Sequence, residues 1–279
     1  MIRRPVVAGM FYEENSEALI EQIKECFLGK FGPGKLPDGN GNKLRAVIAP
    51  HAGYNFSGSC AAWSYREIAE AEFPEVFVIL GTNHQSPASS VSLKDFETPL
   101  GVVKNDVELT KKLGVEVDEV VHANEHSIEV QLPFLQFVFR EKSEKLKIVP
   151  ILVGEDNKIV AKRLVEVIGK KRVVFIVSAD FTHYGIHYGY IPFKPDKIKL
   201  RELDLGAVKA IQKIDSFAFE NYLDETQATI CGKSVILCLL KFFELKKEKV
   251  RAELLEYYSS GDISGDYTNS VGYAAIAFR

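Results

Sequence analysis

Residues 45–54 of the chain read RAVIAPHAGY, and this segment predicts both the type of fold and the position of a site. The four apolar residues 46–49 indicate a short buried strand, which Pro50 ends because proline has no N–H to donate. His51 follows at once, and Gly53 lets the backbone turn away. Since ligands of open α/β sheets bind beyond the carboxyl ends of the strands, His51 is a candidate site residue.

Two further apolar runs lead into a histidine in the same way. Residues 76–80 precede His84, and residues 173–178 precede His183. Apolar runs without alternation are typical of strands that are buried on both faces of a parallel sheet. If the three strands are parallel neighbours, we expect His51, His84 and His183 to converge in one crevice. Neutral imidazole is a common metal ligand, and a catalytic metal site has about three protein ligands.

The order of the predicted elements indicates the class of fold. Stretches with helical spacing of apolar residues alternate with buried-type strands, and no internal repeat or linker interrupts them. We therefore predict a single α/β domain over residues 1–279, with a central, largely parallel or mixed sheet flanked by helices. Closing strands are expected at 252–258 and 271–278, and a buried helix at about 229–240.

Composition limits the possible partners of the chain. Its net charge is −3, so there is no basic excess to neutralise phosphates, and we expect no nucleic-acid partner. No apolar run approaches the roughly 20 residues of a bilayer span and no secretory signal is evident, so we expect a cytoplasmic protein that does not bind membranes. The four cysteines form no CxxC pair, which argues against a zinc ribbon or a disulfide framework.

Cys231 and Asp180 are further candidates for the crevice. Cys231 lies near the predicted start of the buried helix, with Thr229 placed to cap it, and a helix N-terminus favours the metal-binding thiolate. The alternative role of Cys231 is that of a small buried hydrophobe, as we assume for Cys238. Asp180 precedes His183 by three residues; it either holds an imidazole N–H, acts as a base or caps a turn.

Other residues are candidates for the rim of the pocket. His122 and His126 stand four residues apart, which is a metal-ligand spacing on a helix, but no strong helical pattern covers both. We therefore assign Glu125, His126 and Glu129 to the pocket rim rather than to a second metal site. Three tyrosines can offer a phenol to a bound ligand, with aromatic packing as the alternative role. They are Tyr54, Tyr184 and Tyr188.

Six short blocks of the sequence resemble the Memo family, in the family's order and over the whole chain. They read RPVVAGMFY at 4–12, APHAGY at 49–54, LGTNH at 80–84, EHSIEVQLP at 125–133, SADFTHYG at 178–185 and SVGYA at 270–274. Each block is short, but together they are highly specific. One departure is visible, because Glu13 stands where the family usually has a proline.

The resemblance implies a fold similar to that of the class III extradiol dioxygenases, which are non-haem iron enzymes that cleave aromatic diols. Those enzymes hold iron with two histidines and a glutamate, and the Memo family has a cysteine in place of the glutamate. By matching blocks, the resemblance makes His51, His84 and Cys231 the metal ligands. It makes His183 the pocket histidine that acts as acid or base, with Asp180 beside it.

Three functions follow from the resemblance. The first is a redox or dioxygenase-like activity on an unknown small substrate, with iron or copper and no nucleotide cofactor. The second is a binding module that holds a peptide or a phosphorylated ligand in the same pocket. It is suggested by eukaryotic relatives described as signalling adaptors and by a radical-SAM protein as a possible partner. The third is a zinc hydrolase, because thiolate moves the metal preference toward zinc or copper.

Overall fold

In a computed structural model of the chain, residues 1–39 and 41–279 are described, and eleven strands among them form one sheet. The strands are β1 Ile2–Arg3, β2 Ala46–Ala49, β3 Val76–Thr82, β4 Ser90–Val91, β5 Asp95–Thr98, β6 Gly101–Asn105, β7 Lys147–Val153, β8 Val173–Ser178, β9 His183–Gly185, β10 Ala252–Ser259 and β11 Asn269–Phe278. Their main order is β1-β5-β6-β7-β3-β8-β2-β11-β10, with β4 beside β7 and β9 beside β11.

Helices cover both faces of this sheet. They are α1 Ser16–Leu28, α2 Ser59–Glu70, α3 Val107–Lys112, α4 Glu119–Asn124, α5 Leu132–Val138, α6 Asn157–Ile168, α7 Lys197–Gln212, α8 Ser216–Thr226, α9 Lys233–Lys246 and α10 Ser260–Ser264. N-capping explains where three helices begin. The side chains of Asn15, Asp196 and Asp215 accept hydrogen bonds from backbone N–H groups in the first turns of α1, α7 and α8, respectively. No helix in the described part of the chain is both long and apolar enough to cross a membrane.

The sheet is mixed, as predicted. Its centre, β6-β7-β3-β8-β2, is parallel throughout, and β11 and β10 extend it in antiparallel pairing. The three strands that precede the candidate histidines, β2, β8 and β3, are direct neighbours. Ser178 at the end of β8 pairs with Ala49 on one side and Gly81 on the other, so all three strands end at the same level.

The central strands are buried on both faces, which explains their unbroken apolar sequences. In β3, Val78 and Leu80 belong to an apolar cluster shared with α6 and α9, whereas Phe77 and Ile79 belong to one shared with α1, α2 and α5. Successive side chains of a strand point to opposite faces, so both sets must be apolar. The fold therefore presents a rigid sheet edge on which site residues can be placed.

The buried helix begins later than the sequence predicted, at Lys233 instead of about Thr229. The hydroxyl of Thr229 donates to the carbonyl of His183 at 2.6 Å and does not cap the helix. Ile230 forms an isolated antiparallel bridge with Thr182. Residues 229–231 are thus held along the strand end that leads to the candidate site.

Candidate metal centre

The candidate residues lie just beyond the carboxyl ends of β2, β3 and β8. His51, His84 and Asp180 each stand two residues after the last residue of their strand. Because the three strands are parallel neighbours that end at one level, their following residues meet above the same edge of the sheet. His183 begins β9, a short strand paired with β11 beside this edge.

His51 is the centre of the group and is only 2% exposed. Its backbone N–H donates to Oδ1 of Asp180 at 2.8 Å. Its Nε2 lies 3.4 Å from Sγ of Cys231 and 3.9 Å from Oδ2 of Asp180. Burial lowers the pKa of His51 to about 4, although Asp180 acts in the opposite direction. The ring is therefore neutral near pH 7, which is the form that binds metals.

A serine fixes the proton of this ring. Oγ of Ser178 donates its own proton to the carbonyl of Ser127 at 2.6 Å and accepts an N–H of the Gln131 amide at 2.9 Å. It lies 3.0 Å from Nδ1 of His51. Since the serine proton is already committed, Nδ1 must carry the proton of the imidazole and donate it to Ser178. Nε2 is left as a free lone pair that faces Cys231.

Glu125 orients the second histidine. Its carboxylate accepts the backbone N–H of His84 at 2.8 Å and lies 3.0 Å from Nδ1 of the same residue. Burial opposes protonation of His84, but the hydrogen bond and charge of Glu125 outweigh it and raise the pKa of His84. Burial also opposes the charge of Glu125, yet His84 and backbone N–H groups lower the pKa of Glu125 to about 2. Glu125 is a carboxylate that aims the His84 ring.

His126 lies nearer to the centre than a rim position implies. Its ring stacks on that of His84, with centroids 5.0 Å apart, and stands edge-on to that of His51 at 5.5 Å. Its backbone N–H donates to Oε1 of Glu125 at 2.9 Å. Phe11, from the N-terminal segment, packs edge-on against the ring at 4.9 Å.

Cys231 reaches the centre from the segment before α9. Its Sγ lies 3.5 Å from the carbonyl oxygen of Asp180. The close approach depends on Gly232, because a Cβ at this position would overlap with the Cβ of Ala179. Burial, followed by the charge of Asp180, raises the pKa of Cys231 well above its ordinary value. The nearby helix terminus therefore does not by itself deprotonate the thiol of Cys231. A bound cation would favour the thiolate.

His183 lines a cavity of about 530 Å³ together with the histidines His51, His84 and His126 and with Asp180. Nδ1 of His183 lies 3.0 Å from the carbonyl of Phe181, so it carries the proton and leaves Nε2 free. The ring stands edge-on to Tyr188 at 5.0 Å. Aromatic side chains form much of the cavity wall. They are Phe11, Phe56, Tyr188 and Tyr273.

The donor atoms fit a transition-metal ion. Among the described residues, two groups have ligand atoms that all lie within 4.8 Å of one another, and both contain His51. One group adds His84 and His126, and the other adds Asp180 and Cys231. Two free imidazole nitrogens and a thiol are the donor types that zinc, copper and iron accept. The predicted ligands His84 and Cys231 each lie near His51, but they belong to different groups, and among the described residues neither group holds all three predicted ligands.

Several candidates are placed outside the cavity. The hydroxyl of Tyr54 donates to the carbonyl of Val130, and that of Tyr184 to the carbonyl of Phe193. His122 lies buried against Phe96, and Glu129 is fully buried in an ion pair with Arg3. Sequence reasoning missed Ser178, Gln131 and Phe11. All three lie inside the resembling blocks, but nothing in the order of the residues shows that they converge on imidazoles.

Comparison with known proteins supports one family. The sequence profile described as Memo-like protein matches residues 3–277. A MEMO1 family protein of Methanopyrus kandleri is 38% identical over 295 aligned residues, covering 100% of this chain and 99% of the relative. MEMO1 family proteins of Methanobrevibacter smithii and Pyrococcus abyssi are 36% and 37% identical, each over 100% of both chains.

A solved structure supports the fold. The crystal structure of an uncharacterized protein of Escherichia coli K12 superposes with a TM-score of 0.50 at 8% identity, covering 84% of this chain and 99% of that one. At this identity the likeness concerns the fold alone. The arrangement is the predicted α/β fold, similar to that of the class III extradiol dioxygenases.

Proposed function

Since the chain belongs to the Memo-like protein family, we propose that its pocket binds iron or copper through His51, His84 and Cys231 and supports redox or dioxygenase-like chemistry on a small substrate. Family membership confirms the resemblance seen in the sequence. The metal, the substrate and the reaction are the proposal. It is supported most directly by the 3.4 Å approach of Nε2 of His51 to Sγ of Cys231, with the imidazole proton held on the other nitrogen.

The ligand set determines the kind of metal. A thiolate is a softer donor than the glutamate of the extradiol dioxygenases, so the site favours ions that accept sulfur, among them iron, copper and zinc. A bound iron or copper ion would supply Lewis-acid and one-electron chemistry. Ser178 and Glu125 hold the protons of His51 and His84 on Nδ1, so Nε2 of each ring would be the atom that binds an ion.

His183 is the residue placed to move a proton. It lines the cavity, and its Nδ1 proton is committed to the carbonyl of Phe181. The free Nε2 can accept a proton from a hydroxyl or amine of a bound substrate. Asp180 holds the backbone N–H of His51 and keeps a carboxylate oxygen 3.9 Å from the His51 ring. Its negative charge stabilises positive charge that develops in the cavity.

The aromatic wall sets the substrate class broadly. Phe11 and Tyr188 flank the histidines, and Phe56 and Tyr188 are 45% and 44% exposed at the cavity mouth. Such side chains stack on flat or apolar groups. A cavity of about 530 Å³ accepts a small molecule or one or two side chains of a peptide.

Metal analysis tests the proposal. Full-length protein produced in medium supplemented with iron or with copper is purified, and its metal content is measured beside that of His51→Ala and Cys231→Ala. We expect about one ion per chain, lost in both variants. His187→Ala removes an exposed histidine and serves as the matched control, which should keep the ion. An equal metal content in all four proteins would show that the ligand set is wrong.

A second candidate function rests on His84. Its ring lines the cavity beside those of His51, His126 and His183, and protonated imidazoles bind phosphate or carboxylate groups. Titration of the metal-free protein with phosphotyrosine distinguishes the two functions. Binding that is lost in His84→Ala and that added metal does not strengthen would favour a ligand-binding module. Oxygen consumption by the metal-loaded protein would favour the enzyme.

A further inference from the structure

We propose that His126 replaces Cys231 as the third protein ligand when the ion in the pocket is a divalent cation that favours imidazole. The pocket then has two alternative ligand sets, which share His51 and His84. This inference rests on the proposed function, because it assumes that those two histidines bind a metal.

His126 lies close enough to His51 and His84 to share a metal ion with them. The ligand atoms of His51, His84 and His126 all lie within 4.8 Å of one another. The rings of His84 and His126 are nearly parallel, at an angle of 11°, and both stand edge-on to His51, at 87° and 86°. The lone pairs of an imidazole lie in the plane of its ring, so a shared cation would sit at the ring edges, and its binding would turn the parallel rings of His84 and His126 until their nitrogens converge.

The second argument concerns the protons. Oε1 of Glu125 lies 3.0 Å from Nδ1 of His84 and 3.3 Å from Nδ1 of His126. The carboxylate hydrogen-bonds Nδ1 of His84, whereas at Nδ1 of His126 it makes a close contact without a hydrogen bond, and its charge favours a proton there. His51 has its proton on Nδ1 as well, toward Ser178. With their protons on Nδ1, the three rings would offer Nε2 to a cation, as metal-binding histidines do when an outer acceptor holds the other ring proton.

The third argument is that the segment carrying His126 is held in place. The guanidinium of Arg3 donates to the carbonyl oxygen of Glu125 at 2.6 Å and pairs with the buried carboxylate of Glu129. That carboxylate also accepts the backbone N–H groups of Val6 and Val7. The N-terminal segment therefore fastens residues 125–129, and Phe11 closes the outer side of the His126 ring.

The chemistry of the donors separates the two sets. Imidazole suits divalent zinc, cobalt and copper, whereas thiolate attracts soft monovalent ions such as Cu(I). Three neutral imidazoles beside the Glu125 carboxylate match a divalent ion. Cys231, whose Sγ lies 3.4 Å from Nε2 of His51, matches a soft ion. We therefore expect Co(II) to depend on His126 and Ag(I), as a stable substitute for Cu(I), to depend on Cys231.

The test titrates the metal-free, full-length protein with Co(II) and separately with Ag(I), by calorimetry and absorption. His126→Gln should weaken Co(II) binding about tenfold or more and leave Ag(I) binding within about twofold. Cys231→Ala should weaken Ag(I) binding about tenfold or more and leave Co(II) binding within about twofold. His187→Ala should change neither affinity. Co(II) affinity that is unchanged in His126→Gln but lost in Cys231→Ala would overturn the inference. If His51→Ala leaves both affinities unchanged, the proposed function itself fails.

A second measurement needs no variant of His126. Proton NMR of the Co(II)-loaded wild-type protein reports imidazole N–H groups of bound histidines as strongly shifted, solvent-exchangeable signals. We expect three such signals, and the same three in Cys231→Ala. Two signals, with a sulfur-to-cobalt charge-transfer band that disappears in Cys231→Ala, would instead assign Co(II) to the set that contains the thiolate.

Discussion

Nδ1 of His51 lies 3.0 Å from Oγ of Ser178, and the serine gives its own proton to the carbonyl of Ser127. This relationship decides which nitrogen of His51 faces the cavity. It links the last residue of β8 to the second residue beyond the end of β2, so the tautomer depends on the register of two neighbouring strands.

In Ser178→Ala, the proton of the His51 ring should therefore no longer be confined to Nδ1. We expect a mixture of Nδ1–H and Nε2–H forms in the metal-free protein, measured by nitrogen-15 NMR, and metal affinity lower by about tenfold. Ser64→Ala is the matched control, because Ser64 is equally buried and donates to the carbonyl of Ile48 away from the site. If the two variants show the same tautomer and affinity, Ser178 does not fix the ring.

Gly232→Ala should displace Cys231 from His51. A methyl group at Gly232 overlaps with Ala179, so the backbone must move, and overpacking of this kind costs about 1–3 kcal/mol of the free energy of unfolding. Gly39→Ala is the control, since its nearest atom would be the Ala69 carbonyl oxygen at 3.9 Å. Urea denaturation should show a change within about 0.5 kcal/mol for the control. Equal stability of both variants would contradict the packing argument.

Arg3→Met should strongly destabilise the protein. Arg3 and Glu129 form an ion pair whose side chains are 2% and 0% exposed, and removal of one partner of a buried pair costs about 3–5 kcal/mol. Arg172→Met breaks an exposed pair with Glu72 and should cost at most about 1 kcal/mol. Denaturant unfolding measures both values. A similar small loss in both variants would mean that the buried pair does not anchor the N-terminal segment.

Ionisation of Asp204 should make the free energy of unfolding depend on pH. This carboxyl accepts the N–H of Thr182 and the hydroxyl of Tyr257, and burial raises its pKa to about 6. The folded state therefore holds the proton more tightly than the unfolded state. The resulting stability is complete below the unfolded pKa near 4 and is lost as the pH rises through about 6.

Relative to Asp204→Asn, the free energy of unfolding of the wild type should thus fall by about 2–3 kcal/mol between pH 4 and pH 7. Unfolding curves of both proteins across this range measure the difference. Asp38→Asn, at an exposed loop position, should follow the wild type at every pH. A difference between wild type and Asp204→Asn that is independent of pH would show that Asp204 ionises normally.

The strands could be predicted because burial on both faces leaves an unmistakable pattern. The runs 46–49 and 173–177 are apolar throughout, and the first polar residues after them are His51 and Ser178. Which strands are neighbours could not be predicted from the sequence. Ile48 pairs with Val177, 129 positions away, and no local sequence pattern indicates such a long-range pairing.

His126 was predicted at the pocket rim, but its approach to His51 and His84 could not be predicted, for a different reason. It follows a helix of only six residues, α4, and is carried to the centre by the hydrogen bonds of Glu125 to the backbone of His84 and of His126 itself. These contacts join two loops. Thr229 was misassigned as a helix cap because its hydroxyl finds a carbonyl partner in His183, which is distant in sequence.

Diffraction at the iron absorption edge tests the central claim most directly. Crystals are grown from full-length protein produced in iron-supplemented medium, and the anomalous difference map is calculated above and below the edge. We expect one peak about 2.0–2.4 Å from Nε2 of His51 and from Sγ of Cys231, with His84 as a third ligand. A peak elsewhere, or no peak in crystals whose protein contains stoichiometric iron, would contradict it.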